Sequence, residues 1–353
     1  MRKQLLVAPS TRLLMILMAT AQLFPFAYAN SCTTQAQMTP ALRQELVSTA
    51  HLLIADIQTG NILALRDDTL GSVAANFSGI AQSARTLEPE IQDASITVDT
   101  LIEFDATAPN SSAGQQAQFF CSPPNSTKTI VLTFPLLPKG SYALAIVHAT
   151  GIPNPQQISL ILTRSEANQW KLAGFFQKPL TLNGQSGIWY WKQAQQYESE
   201  KMNWAAWYYY QIAKSLVMPV DFLSSPNLEQ LEKEASQVQP QQLSKHRPMI
   251  VDANGAPFSL TRITTTTELG PLDLEVHYVP DASESAVLSN PVQARRQAVT
   301  LMITLLALHP GIRKAFHGIW VFADSNNATA FALELPMNQI PSVAQMNKSG
   351  LGQ

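Results

Sequence analysis

The chain is poor in charge. Asp, Glu, Lys and Arg make up 14% of its 353 residues, whereas roughly 25% is typical of soluble domains. Basic clusters are missing, and phosphate backbones and anionic lipid surfaces are bound by concentrated Lys and Arg. The composition therefore argues against a nucleic-acid-binding protein, and Gln, Asn, Ser and Thr supply the polar surface instead.

Sequence motifs of several enzyme classes are also missing. There is no G-x-S-x-G elbow, no P-loop and no dinucleotide-binding glycine pattern, so hydrolase, NTPase and Rossmann functions lose their usual support. The six histidines are dispersed, without H-x-x-H, H-E-x-x-H or C-x-x-C spacing. Because a metal site needs several converging ligands, we predict no metal site and no cofactor.

Cysteine is nearly absent, with only Cys32 and Cys121 present. In an oxidising compartment the simplest interpretation is one disulfide. It would close a loop of about 90 residues and stabilise the fold by roughly 4 kcal/mol in the chain-entropy model. The alternative is a lipid-modified Cys32, although the preceding Ala29-Asn30-Ser31 is a poor lipobox.

What is present begins with an export signal. Three basic residues, the last of them Arg12, precede an apolar run over residues 13–26, and Ala27-Tyr28-Ala29 offers a small-x-small cleavage site. This order is typical of a secretory signal peptide, and the run is too short to span a bilayer. We expect a secreted or periplasmic protein without a membrane span, cleaved near Ala29.

The apolar period changes from helical to strand-like near residue 95. Thr39-Pro40 predicts a helix start, and three helices are expected over residues 39–87. Further along, Ile96, Val98, Thr100, Ile102 and Phe104 alternate with polar residues, which predicts one half-buried strand with these five on one face. Helices followed by a strand meander indicate an α+β fold, with helices on one face of an antiparallel sheet. Further strands are expected at 118–121, 129–134, 141–149, 157–164 and 170–176.

The last two of these strands carry a family resemblance. Helices first, then Ile158-Ser-Leu-Ile-Leu-Thr-Arg164, a short turn and Trp170-Lys-Leu-Ala-Gly-Phe175 resemble the NTF2-like (SnoaL-like) domains of bacterial secreted proteins. The resemblance covers residues 38–178 of a first domain at 30–180, and implies a cone with helices packed on a curved antiparallel sheet. That superfamily includes isomerases, dehydratases, ligand binders and structural modules, so the resemblance transfers no activity.

Residues 186–238 are predicted to be helical and are rich in aromatic side chains. The spacing of Tyr190, Ala194, Tyr197, Ala206, Tyr210 and Ala213, with Pro219 after them, resembles one tetratricopeptide repeat, a helical hairpin that turns near 201–203. A single copy cannot form a solenoid. An amphipathic helix over 227–238 is expected to cap the hairpin.

The aromatic rings exceed what one helical stripe can bury. We favour the interpretation that they pack the hairpin between neighbouring domains. The functional alternative is a contact surface for a protein, peptide or glycan. Its candidate binding residues are Trp189, Trp191, Trp204, Trp207 and Tyr208.

A polar linker over 240–248 leads into a small α+β domain at 247–336. Strands at 257–266 and 272–279, a helix, and strands at 318–323 and 329–335 predict a ββαββ unit. The helix is expected to begin at Asn290-Pro291 and to end near His309-Pro310. Its apolar block is too short to cross a membrane, so we predict a buried core helix. Residues 337–353 are predicted to form a disordered tail.

The catalytic candidates are weak. His148 should share a face of its strand with Tyr142, and Asp99 or Glu103 could pair with it for general acid–base work if that face lines the cone's cavity. Both carboxylates, however, alternate away from the apolar side of their strand. We therefore favour a structural role for His148.

These observations lead to two functional hypotheses. The first is a secreted, non-catalytic binding or assembly module whose ligand is a protein, a peptide or a small apolar molecule. The second is an enzyme, an isomerase or hydrolase of small apolar molecules, with His148 as base in the NTF2-like cavity. An open cavity containing His148 and a carboxylate would favour the enzyme, and a cavity filled by side chains would favour the module.

Overall fold

The computed structural model describes residues 30–107, 116–242, 245–253, 255–280, 290–325 and 328–342. The predicted signal peptide, residues 1–29, lies outside this part of the chain. The described residues form a mixed α+β structure with nine helices and three sheets, which confirms the predicted class. None of these helices is long and apolar enough to cross a membrane.

Four helices follow the first strand, one more than the three predicted, because residues 75–77 separate the expected third helix into two. The first helix begins at Pro40, as its capping residues predicted. The Thr39 hydroxyl accepts a hydrogen bond from the backbone N–H of Leu42, and Pro40 occupies the first turn. Both features satisfy or remove N–H groups that a helix start leaves unpaired. The helices are α1 (Pro40–Gln58), α2 (Ile62–Asp67), α3 (Gly71–Ala74) and α4 (Ser78–Ile91).

The following strands build one mixed sheet. In chain order they are β1 (Asn30–Thr34), β2 (Ser95–Asp105), β3 (Ala117–Cys121), β4 (Ile130–Phe134), β5 (Ser141–Thr150), β6 (Gln156–Arg164), β7 (Trp170–Pro179), β8 (Thr181–Leu182), β9 (Gln185–Ser186) and β10 (Leu223–Ser224). The eight-stranded sheet has the order β10-β4-β3-β1-β2-β5-β6-β7, and β8 and β9 pair separately. β1 lies parallel to β3 and antiparallel to β2. The strands expected from the sequence are confirmed, whereas β1, β8, β9 and β10 are additional.

The sheet is strongly curved and has a hydrophobic core on each face. On β5, Ala143, Ala145 and Val147 face the helices, while the alternate residues face a second core that β3 and β4 complete. The rings of Phe104 on β2 and Phe134 on β4 lie 5.3 Å apart. Three strand steps separate these strands, about 14 Å in a flat sheet, so the sheet must bend around the second core.

The side chains of β2 alternate between the two faces of the sheet, and this alternation is interrupted once along the strand. Val98 pairs with Val147 and Thr100 with Ile146, which leaves Asp99 as an extra residue. Such a β-bulge reverses which face the following side chains occupy. Ile96 and Val98 therefore pack towards the helices, and Ile102 and Phe104 pack in the second core. The prediction that these alternating residues share one face is wrong.

A helical hairpin and a third helix follow the first sheet. They are α5 (Gly187–Ser199), α6 (Asn203–Val217) and α7 (Pro226–Gln237). The predicted turn near 201–203 is confirmed, with Lys201 at φ 60°. A Cβ on Gly187 would lie 2.5 Å from Val217 Cγ1, so only glycine lets the start of α5 approach the end of α6 this closely.

The C-terminal sheet has three strands before its helix. Its elements are β11 (Met249–Ala253), β12 (Ala256–Thr266), β13 (Asp273–Val279), α8 (Pro291–Leu308), α9 (Ile312–Ala315), β14 (Gly318–Ser325) and β15 (Ala328–Pro336). The strands lie in sequence order, antiparallel except for the parallel pair β13 and β14. That pair requires a long crossover connection, which contains α8. The order of three strands, two helices and two strands thus differs from the expected ββαββ order by the short helix α9 and by β11, a five-residue strand too short for its alternation to be recognised.

One continuous core joins the hairpin to the C-terminal sheet. Tyr190, Tyr209 and Tyr210 pack in the same cluster as Leu305 of α8 and Val321 of β14. The predicted helical segment and the predicted small domain therefore bury their apolar surfaces together.

The predicted disordered tail begins too early. Met337 and Ile340 are buried, and the Arg313 guanidinium donates hydrogen bonds to the backbone carbonyls of both. The prediction is wrong for residues 337–342, and residues 343–353 lie outside the described part of the chain.

The predicted disulfide between Cys32 and Cys121 is present, across 89 positions of sequence. We expect its reduction to lower the free energy of unfolding by up to about 4 kcal/mol, because the unfolded chain regains the entropy of a long open loop. Urea denaturation with and without a phosphine reductant measures the difference. A Cys32→Ala/Cys121→Ala variant is the control and should not respond to the reductant. Identical midpoints for oxidised and reduced wild-type protein would contradict the expectation.

Candidate functional site

The bulge in β2 brings one of the two catalytic candidates to His148. His148 Nδ1 lies 4.0 Å from Asp99 Oδ1, and its side chain is 24% exposed. The other ring nitrogen lies 3.4 Å from Gln157 Oε1. Alternation alone would have turned Asp99 away, and the extra residue in the strand overrides it. This pair is a weak, partly exposed contact between two interior strands of the sheet.

Glu103 does not join this pair. It lies opposite Ala143, whose side chain faces the helices, whereas His148 shares its face of β5 with Ile146 in the second core. Burial raises the pKa of Glu103, and the nearby Arg164 opposes that shift. The structure therefore separates Glu103 from His148 by the thickness of the sheet.

The space between the helices and the first sheet is filled by side chains. Leu46, Leu53 and Ile57 of α1 pack with Leu160 of β6, and all four are completely buried. A pocket of about 250 Å³ opens at the edge of this core, beside Trp170. The enzyme hypothesis required an open cavity along the face of β5 that carries Tyr142 and His148, which is the opposite face of the sheet.

The tyrosines of the hairpin tie it to its neighbours. The Tyr209 hydroxyl donates to the Ala315 carbonyl at 2.6 Å, and the Tyr208 hydroxyl to the Ile263 carbonyl at 3.4 Å. Burial raises the pKa of Tyr209 far above its usual range, so this hydroxyl remains a donor. These contacts support the packing interpretation for the buried part of the aromatic block.

Two of the candidate tryptophans lie on α5 and have different environments. The indole N–H of Trp191 donates to Glu234 Oε2 of α7 at 2.6 Å. Trp189 is 38% exposed and makes an edge contact with the ring of Tyr190. Neither tryptophan lines the two pockets that the remaining three candidates line.

The other three candidates come together around two adjoining pockets. The larger, about 640 Å³, lies between the hairpin turn at 200–205, the end of α7 at 237–240 and the α8–α9 connection at 308–314. The smaller, about 150 Å³, is lined by Trp207 and Tyr208. Trp204, Gln239 and Pro240 line both pockets. We call this pair of pockets the Trp204 groove.

The position of Trp204 depends on a contact between α6 and the end of α8. Its ring stacks on the imidazole of His309, with centroids 4.0 Å apart and 18° between the planes. Burial lowers the pKa of His309 below its usual value, so the stacked ring is neutral at pH 7. A Cβ on Gly311 would lie 2.7 Å from Met202 Cγ, which explains why glycine is needed where the two turns meet.

The rim of the groove is polar, and most of its charges are paired. Lys314 Nζ lies 2.6 Å from Glu200 Oε2, and Arg262 contacts Glu275 at 2.9 Å. No hydrogen bond from the indole N–H of Trp204 or Trp207 is found among the described residues. The remaining polar lining is mostly amide, from Asn203, Gln237, Gln239, Gln241 and Gln242. The groove thus combines apolar walls with neutral donors and acceptors.

The sequence identified the aromatic wall of the groove and missed the rest. His309, Gly311 and Met202 come from separate segments that meet only after α8 packs against the hairpin. The glutamines at 239, 241 and 242 follow α7, and the last two lie in the stretch 240–248 that was predicted to be a polar linker. Their concentration at the start of that linker was the one available signal.

Replacing Trp191 by Phe tests the packing interpretation. The change keeps an aromatic ring but removes the N–H that donates to Glu234. We expect a loss of about 1.5–3 kcal/mol in unfolding free energy, as for hydrogen bonds to charged groups. Trp189→Phe, at an exposed ring, is the matched control and should stay within about 0.5 kcal/mol of wild type. If both variants unfold at the wild-type urea concentration, Trp191 does not pack the hairpin.

The same contact predicts a pH dependence. Burial alone would raise the pKa of Glu234, but hydrogen bonds from Trp191, Gln230 and Gln195 outweigh it, and the pKa lies below its usual value. A lowered folded-state pKa adds stability that is complete above about pH 4.5 and is lost as the pH falls through the folded value. Glu234→Gln should therefore lose less stability than wild type on acidification below that point. Parallel urea-denaturation curves against pH would contradict this.

No family model, curated protein or solved structure matches this chain. The geometry of the Trp204 groove therefore carries the functional conclusion.

Proposed function

We propose that the chain is an exported, non-catalytic binding module that holds an extended, uncharged peptide segment of a partner protein in the Trp204 groove. The observation that carries the proposal is the pair of pockets that share Trp204 as a wall. The disulfide between Cys32 and Cys121 supports export, because such bonds persist in oxidising compartments.

The shape of the groove favours an extended chain over a compact molecule. Two pockets of unequal volume lie side by side on either side of one ring. Neighbouring side chains of a peptide could enter them while the backbone crosses the rim. The amides of Gln239 and Gln241 can both donate to peptide carbonyls and accept from peptide N–H groups.

The electrostatics of the groove favour an uncharged ligand. Lys314 and Arg262 already contact carboxylates, and His309 is neutral at pH 7. Burying a ligand charge without a partner is costly. A peptide segment with apolar side chains and unpaired backbone N–H and C=O groups is the ligand that fits these walls.

A glycan fits less well. Carbohydrate stacking requires an open aromatic face, and one face of Trp204 is covered by His309. A small apolar molecule would leave the amide rim without partners. The binding experiment below therefore also tests glycans and small apolar molecules as ligands.

The filled core of the first unit supports the binding module over the enzyme. Residues of α1 and β6 occupy the space in which an NTF2-like cavity would open. His148, the base of the enzyme hypothesis, belongs to the opposite face of the sheet with Ile146. The contact with Asp99 at 4.0 Å lies outside the pockets described above.

The two fold-family resemblances remain part of this proposal. An NTF2-like identity for residues 38–178 is supported by the order of helices before strands and by their packing on one face of a curved sheet. A tetratricopeptide-like identity for the hairpin is supported by Ala194 and Ala213, two small buried residues on the adjoining helices α5 and α6. Neither identity adds a cofactor.

A peptide screen tests the proposed function. The purified protein is immobilised and selected against phage-displayed random peptides, and the affinity of enriched peptides is measured by fluorescence anisotropy. Trp204→Ala should weaken binding at least about tenfold, as expected for a central aromatic contact. Trp189→Ala, which removes an exposed tryptophan outside the groove, should bind as wild type does.

A second variant covers the case in which Trp204→Ala loses stability. Gln239→Lys places a charge on the exposed rim shared by both pockets and should also weaken binding without changing the melting temperature. The proposal is wrong if no peptide is enriched, if both groove variants bind normally, or if a glycan array or an apolar-ligand screen yields the groove-dependent ligand instead.

A further inference from the structure

Three potential metal ligands converge where strands of the C-terminal sheet begin and end. Asp273, His317 and Glu334 each offer an atom, and these atoms lie within 4.8 Å of one another. They are contributed by β13, by the residue before β14 and by β15. His317 follows His309 by eight residues, but His309 stacks on Trp204 whereas His317 contacts Asp273.

The backbone holds these residues on a rigid frame. The His317 N–H donates to the Leu272 carbonyl at 2.9 Å, and the His317 carbonyl accepts from the Met337 N–H at 2.8 Å. Glu334 is held opposite Trp320 in the β14–β15 ladder. Sites built on strands keep their side-chain geometry better than sites built on loops.

The carboxylates lack sufficient partners for their burial. Asp273 is 1% exposed. Among the described residues, the one hydrogen-bond contact found for its Oδ1 is with His317 Nδ1, at 3.3 Å. Glu334 Oε1 is fully buried and has no hydrogen-bond partner. Buried carboxylates are usually paired with cations or coordinate metals, because the unpaired charge is costly.

A glycine keeps the space beside these oxygens open. A Cβ on Gly318 would lie 2.6 Å from Glu334 Oε1 and 3.0 Å from Asp273 Oδ1. Any side chain at this position would displace the two carboxylates. The convergence of the three ligands therefore depends on the glycine at the first position of β14.

We propose that Asp273, His317 and Glu334 bind one divalent metal ion, with Zn²⁺ preferred. One imidazole nitrogen with two carboxylate oxygens is a ligand set that suits Zn²⁺, whereas Mg²⁺ and Ca²⁺ favour oxygen alone. Ligand atoms in a tetrahedral zinc site lie about 3.3 Å apart, which the Asp273–His317 pair already matches. Rotation of the Glu334 side chain brings the third ligand in, and the fourth position faces solvent beside the half-exposed His317.

A neighbouring cluster of the same residue types cannot bind a metal in this way. His277 contacts Asp324 through Nδ1 and Glu275 through Nε2, both at 2.8 Å. Since the two carboxylates lie at opposite ring nitrogens, they cannot share an ion with the imidazole. Glu275 is a carboxylate of the same sheet that contacts a histidine outside the proposed site. Glu275→Gln is therefore a matched control for Glu334→Gln.

Isothermal titration of the chelator-treated full chain with ZnCl₂ tests the proposal. We expect one ion per chain and a rise in melting temperature of about 5 °C at a large excess over Kd. MgCl₂ and CaCl₂ should bind much more weakly. X-ray absorption at the zinc edge should show one imidazole with oxygen ligands and no sulfur.

Variants assign the ion to this site. Glu334→Gln and His317→Ala should each weaken Zn²⁺ binding at least about a hundredfold, because a direct ligand contributes more than the hydrogen-bond partner of a ligand, whose loss costs roughly 10- to 100-fold. Glu275→Gln should keep wild-type affinity. His317 is half exposed, so its variant keeps the test valid if a carboxylate variant does not fold. Absence of 1:1 binding in wild type, or binding that persists in His317→Ala, would overturn the proposal.

Discussion

The constraint on which most of the structure depends is the burial of the aromatic hairpin between two sheets. Tyrosine and tryptophan bring large apolar surfaces together with polar atoms that require partners. Here Tyr209 and Tyr208 reach backbone carbonyls of the C-terminal unit, and Trp191 reaches Glu234. These bonds fix the orientation of α5 and α6, and the orientation leaves Trp204 between the two pockets of the groove.

The sequence predicted the elements whose determinants are local. Thr39-Pro40 and Asn290-Pro291 mark the starts of α1 and α8 because capping involves only adjacent residues. The failures involve distant partners. The bulge at Asp99 is visible only once β2 pairs with β5, the parallel pairing of β1 and β3 joins distant segments, and Met337 becomes buried only against a completed core.

The candidate sites likewise combine residues that local sequence predicted with residues that only the fold brings together. Trp204, Trp207 and Tyr208 were identified from composition because aromatic clusters are visible in a sequence. His309 lies beside Trp204 because α8 packs against the hairpin, and no spacing of residues in the sequence predicts that contact. Asp273 and Glu334 could not have been associated at all, since their proximity is set by the register of three strands.

The course of the chain between the two sheets has a consequence for dissecting the protein. The chain leaves the first sheet after β7 and returns to it as β10, beside β4. Phe222 lies between Phe134 and Phe176, and Lys178 bonds to Met218 and Asp221. The hairpin is therefore an insertion within the first sheet, and a fragment truncated at residue 180 would lack an edge strand and the ring that closes its second core. Excision of either half at the boundary suggested by the sequence would leave an incomplete unit.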